Sequence, residues 1–103
     1  MDSKTRLLHW MLNASRGGPT RIRILRTISS NPQNTRALAM ELKLDYKTVQ
    51  SHMEMLLGHG IIYTPKRGYG SVYFIGPEWE GNEFLNDLLR GNDDGKKKRK
   101  RKK

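Results

Sequence analysis

Residues 45–60 read DYKTVQSHMEMLLGHG, and the reading of this stretch decides the fold. Asp45 is a strong helix N-cap, because its carboxylate can accept the free N–H groups of a first turn. Val49, Met53, Leu56 and Leu57 then recur at i, i+4, i+7 and i+8, one apolar stripe on a helix of 3.6-residue period. Tyr46, Lys47, Thr48, Gln50 and Ser51 fall on the other face, where every side chain can donate or accept a hydrogen bond. Gly58 and Gly60 stop the helix. A helix with an apolar back and a polar front fits the major groove of duplex DNA. It also fits an ordinary protein surface, so its neighbours have to decide.

Upstream, Asn34 can cap a helix over TRALAMELKL, with Ala37, Leu38, Met40 and Leu42 as its apolar side. Only Lys43, Leu44 and Asp45 separate it from the polar-fronted helix, and two helices joined by so short a turn form a helix-turn-helix. Before it, Pro19 suits a first helical turn. Ile22, Ile24, Leu25 and Ile28 continue that helix to about Asn31–Pro32. The three helices can share a core of Leu25, Ile28, Leu38, Leu42, Leu44, Val49, Met53 and Leu56. Downstream, IIYTP and VYFI are rich in β-branched and aromatic residues, as strands prefer. KRGYGS lies between them, with two glycines free for positive φ. This predicts a β-hairpin with a basic tip, Lys66 and Arg67. The expected architecture is α+β and mostly helical: a winged helix-turn-helix at residues 19–77, a three-helix core plus a β-hairpin wing.

Two terminal segments flank that unit. Residues 4–13 carry Leu7, Leu8, Met11 and Leu12 at helical spacing, followed by the breaker ASRGG. Residues 78–90 carry Phe84, Leu85, Leu88 and Leu89, with acids near the helix start, where the dipole favours them. Three central helices already fill one small core. The terminal stripes, with Trp10 and Trp79, are therefore expected to be left uncovered and to pair two copies of the chain, the competing outcome being that both segments fold back and cap their own core. The organisation expected is residues 1–18 and 78–90 as dimer contacts, with 91–103 a disordered basic tail.

Charge points to the partner. The 103 residues carry a formal +10, and Lys96–Lys103 supply +8 of it. Residues 1–77 hold 11 basic and 4 acidic groups, whereas 78–95 hold 1 basic and 6 acidic. A basic body suits a polyanion, most often nucleic acid. The chain has no cysteine, which excludes disulfides, thiolate metal sites and thiol catalysis. His52 and His59 lie seven residues apart on one helix, about 10.5 Å of rise, too far to share a metal ion. No carboxylate or nucleophile stands at motif spacing from His52, so no enzyme is expected. No cofactor is expected either, since Gly68-Tyr69-Gly70 lacks the run and the following helix of a nucleotide loop. No apolar run approaches a membrane span, no signal peptide opens the chain, and a cytoplasmic location is expected.

The stretch Thr48 to Ile62 resembles the recognition helix and first wing strand of ArsR-like winged-helix transcriptional regulators. That family runs Thr-Val-x-x-His-Leu-x-x-Leu, then three residues, then Gly and two aliphatics. Val49, His52, Met53, Leu56, Gly60, Ile61 and Ile62 stand in those places. Arg16-Gly17-Gly18, Leu44 to Val49 and Gly68 to Phe74 resemble an archaeal branch of small regulators, so the likeness covers about residues 6–80. The resemblance implies sequence-specific binding of double-stranded DNA by a homodimer. From the polar front of the helix, Tyr46, Lys47, Gln50 and Ser51 are expected to read bases and Thr48 to touch phosphate, and from the basic turn Lys66 and Arg67 are expected to meet backbone or minor groove. The resemblance also implies a partly buried structural role for His52. Metal-sensing members use cysteine pairs or His/Asp clusters; this chain has no cysteine, so no sensing function is implied. The rival class is a non-specific nucleic-acid or chromatin-associated protein, or a winged helix used for protein contacts. The Lys/Arg tail favours that rival, and the hydrogen-bonding front of the helix favours the regulator.

Overall fold

The computed structural model describes residues 3–66, 68 and 70–90. Five α-helices and one two-stranded sheet follow in the order α1 (Ser3–His9), α2 (Gly18–Ser30), α3 (Thr35–Leu42), α4 (Tyr46–Gly58), β1 (Ile62–Tyr63), β2 (Phe74–Ile75) and α5 (Glu83–Arg90). A π-helical turn, Trp10–Ala14, continues α1, and a 3₁₀ turn, Pro77–Trp79, precedes α5. The fold is a winged helix-turn-helix.

The capping residues act as their chemistry dictates. The Asn34 side chain accepts from Ala37 N at 2.8 Å, and the Asp45 carboxylate accepts from Thr48 N at 3.2 Å. Asn82, which the sequence reading passed over, accepts from Leu85 N at 2.9 Å and starts α5. Lys43, in the turn between α3 and α4, takes a left-handed conformation at φ 58°, and its N–H closes the end of α3. Gly60 takes φ 74°, which lets the chain leave α4 for β1.

Helix α2 is the hub: it packs against the π turn, α3, α5 and β2. Ile24, Leu25 and Ile28 of α2 are buried with Leu38, Val49, Met53, Leu56, Ile61 and Ile62. Leu42 and Leu44, expected in this core, are only partly buried at its edge. The wing strands are antiparallel and short, with Ile62 opposite Ile75 and Tyr63 opposite Phe74. A further bridge, Tyr73 N to Gln33 O at 3.1 Å, ties the wing to the entrance of α3. Ser71 closes the turn by donating to the carbonyls of Lys66 and Gly68.

The terminal stripes correct the expectation that they lie open. Leu8, Met11, Leu12, Trp79 and Leu85 are buried within one chain and belong to the same core as the central helices. The two ends also meet each other. Lys4 Nζ lies 3.1 Å from Glu78 Oε1 and 4.8 Å from the centre of a Trp79 ring, and the His9 and Phe84 rings pack at 5.9 Å. A seven-residue helix is marginal alone, so these contacts are what hold α1. Trp10 is the exception, 50% exposed.

Candidate nucleic-acid interface

Helix α4 presents the face that its sequence predicts. Val49, Met53 and Leu56 are buried, while Tyr46, Lys47, Thr48, Gln50 and Ser51 are all exposed. The helix-turn-helix therefore brings the five together on one surface. The wing turn stands beside them. A crevice of 360 Å³ opens between α4, the entrance of α3 and the wing, with Tyr46 and Gln50 on α4, Ser71 and Tyr73 on the wing, and Arg36 on α3 lining it. Lys66 is exposed on that turn. Arg67 lies outside the described residues, as does the tail Lys96–Lys103.

Sequence reasoning missed Arg36. Its exposed guanidinium sits in the first turns of α3 and lines the crevice shared with Tyr46 and Gln50. The signal was available: α3 begins at the Asn34 cap, and a cation two residues past it lies at the end of the helix that abuts α4.

Other cations are engaged by the protein's own carbonyls. Three arginines of α2 each donate to a carbonyl near the end of a neighbouring helical segment. Arg21 Nη1 reaches Met11 O at 3.0 Å, and Arg23 Nη2 reaches Leu42 O at 3.1 Å. Arg26 reaches Leu89 O at 2.9 Å and Leu88 O at 3.1 Å. The last carbonyls of a helix lack intrahelical donors and sit at the negative end of its dipole, so a guanidinium satisfies both at once.

His52 is half-buried on α4, and its Nδ1 accepts from Arg21 Nε at 3.2 Å. Burial first, and then the Arg21 charge, hold its imidazole below the usual histidine range. Nδ1 thus serves as an acceptor within the fold, and the ring is partly buried as expected. Among the described residues no group of three His, Cys, Asp or Glu side chains could hold a metal ion, and no helix is long and apolar enough to cross a membrane.

A capped helix presenting five hydrogen-bonding side chains beside a glycine-bearing wing defines a class, the winged helix-turn-helix module. Within it, residues 18–64 match the family model described as bacterial regulatory protein, arsR family, a match that spans the helix-turn-helix and the first wing strand. The homodimeric winged helix-turn-helix DNA-binding domain of a possible ArsR-family transcriptional regulator from Mycobacterium bovis, solved in solution, has a similar fold. The TM-score is 0.56 at 18% identity, covering 87% of this chain and 81% of that one. No curated protein matches the chain.

Proposed function

We propose that this chain is a sequence-specific regulator of transcription that binds double-stranded DNA as a homodimer, with residues 19–77 as its DNA-binding unit. Helix α4 lies in the major groove. Gln50 pairs with adenine or a similar edge, Lys47 reaches guanine, Tyr46 and Ser51 contact adjoining bases, and Thr48 meets phosphate. Lys66 and Arg67 on the wing, with Arg36 on α3, hold the flanking backbone. The tail Lys96–Lys103 adds affinity for any duplex without choosing a sequence, because a run of like charges has no geometry for base edges. The observation that carries this reading is the exposure of all five polar residues on one face of α4, opposite its buried stripe and beside the wing.

Two observations support the homodimer. The similar domain from Mycobacterium bovis is homodimeric, and Trp10 stands half out of this chain's own surface as an apolar anchor for a second copy. A two-fold pair would set two α4 helices about 34 Å apart and favour a palindromic site.

Selection of binding sites from random duplexes tests the proposal. A defined, two-fold consensus is expected. Gln50→Ala should then weaken binding to that consensus by about 1–3 kcal/mol and leave binding to random duplex nearly unchanged. Equal losses on both would remove base reading from Gln50.

A further inference from the structure

Arg16-Gly17-Gly18 and the π turn before it lie outside the contacts proposed above, yet they are built against α4. The π turn closes with Ser15 N on Trp10 O at 2.9 Å. Ser15 Oγ then folds back onto Met11 O at 2.9 Å. The Arg21 guanidinium receives this corner. Its Nη1 donates to Ser15 Oγ at 2.8 Å and to Met11 O at 3.0 Å, while its Nε donates to His52 Nδ1 on α4 at 3.2 Å. One planar cation is thus fastened at one edge to the end of the N-terminal segment and at the other to the middle of α4.

The glycines fit this arrangement. A Cβ on Gly17 would stand 2.8 Å from His52 Cε1 and 2.9 Å from Arg21 Nη2, so the loop rests directly on the imidazole and its guanidinium partner. A Cβ on Gly18 would collide with the Leu12 carbonyl, which holds the start of α2 against the π turn. π turns are rare interruptions of a helix and gather at functional positions. This one carries the half-exposed Trp10 at its start and the Arg21 clamp at its end.

We propose that Arg21 is a positioning residue for DNA binding: through His52 it couples the conformation of the N-terminal π turn to the placement of α4. His52 follows Gln50 and Ser51 directly in α4, and base reading tolerates displacements of only about 0.5 Å. A shift of the Ser15/Met11 corner pulls the guanidinium, the guanidinium pulls the imidazole, and the α4 face moves with it. A second copy of the chain seated on Trp10 would therefore change DNA affinity through this link. The inference rests on the DNA-binding reading above, and the experiment separates the two.

The full chain is prepared as wild type, Ser15→Ala, Arg21→Met and the double variant. Each is measured for the His52 ring Cε1–H signal by NMR in the absence of DNA, for affinity to the selected duplex, and for its thermal melt. Ser15→Ala touches neither α4 nor any proposed DNA contact. It should move the His52 signal and weaken the duplex about fivefold. In the Arg21→Met background the same change should do neither, because the link is already cut. Should Arg21→Met fail to fold, His52→Leu cuts the link from the other end. His52→Asn keeps an acceptor at the place of Nδ1 and should preserve the Ser15→Ala effect on affinity. An unmoved His52 signal in Ser15→Ala overturns the coupling. So does an unchanged affinity, or an effect that persists undiminished in Arg21→Met. A His52 signal that moves in Ser15→Ala, with a wild type that binds no duplex, would instead overturn the DNA-binding reading and leave the mechanical link standing.

Discussion

Leu8→Ala and Trp10→Ala form a pair that separates self-coverage from dimer contact. Leu8 is fully buried in the chain's own core, whereas Trp10, two residues on, is 50% exposed. Truncating a buried leucine costs about 2–5 kcal/mol, from lost transfer energy and the cavity left behind. A domain of this size loses about 4–8 °C of Tm per kcal/mol, so a cost near the middle of that range lowers Tm by roughly 14–28 °C. Trp10 offers its chain only half of its surface, and its truncation should cost about 1 kcal/mol, or less than about 8 °C. Thermal melts at protein concentrations about a hundredfold apart, with sedimentation alongside, provide the assay. Leu8→Ala should show the same large drop at both concentrations and keep the wild-type mass. Trp10→Ala should melt near wild type when dilute and shift the mass towards the monomer. A Leu8→Ala drop below about 5 °C, or one that vanishes on dilution, would refute the reasoning and place Leu8 between copies.

Arg26→Met removes both bonds that Arg26 makes to the end of α5. It should cost about 1 kcal/mol in urea melts and leave the salt dependence of DNA binding unchanged. Lys66→Gln should do the reverse, with an unchanged melt and a log K against log salt slope flatter by about one unit; an unaltered slope would mean that the wing does not touch phosphate. His52 sets a pH dependence of stability. Its folded-state pKa lies below the ordinary value near 6.5, so the unfolded chain takes up the proton first. The stability His52 contributes is fully present above about pH 6.5 and is lost as pH falls through its lowered folded-state pKa. Urea melts at falling pH should therefore show the wild type losing ground to His52→Asn, which accepts from Arg21 but cannot protonate; parallel curves would contradict this.

What the sequence made legible was local. Asn34 and Asp45 cap the helices that they were expected to cap, because a side chain accepting from the N–H three residues on needs only the chain's own first turn. The stripe of Val49, Met53 and Leu56 and the change of period after Gly60 gave α4 and the wing in the same way, since each is a repeat within a dozen residues. The coverage of Leu8, Met11 and Leu12 was not local. Their spacing says that a face exists and is silent on what lies across it, and the partner turned out to be α2 together with the segment around Trp79 and Phe84, some seventy residues away. The π turn was hidden for a related reason: residues 10–14 have ordinary helical composition, and what widens the turn there is the docking of Ser15, Gly18 and Arg21.

Charge was the feature most open to misreading, because a count assigns every cation to the solvent. Residues 1–77 carry a net +7, and that figure suggests a partner rich in phosphate. In the fold, Arg21, Arg23 and Arg26 direct their guanidinium groups at the carbonyl ends of the π turn, α3 and α5. A helix end carries roughly half a negative charge, so each of these arginines is partly answered within the protein. All three stand on α2, the helix that touches most of its neighbours, and neighbouring helices end against it. Arg36 on α3 lines the crevice with Tyr46 and Gln50, and Lys47 on α4 and Lys66 on the wing turn are exposed. The two sets share a sign of charge and differ in what lies opposite them. Sequence can tell them apart only once the helix order is known, because a cation inside one helix becomes a cap through the ending of another.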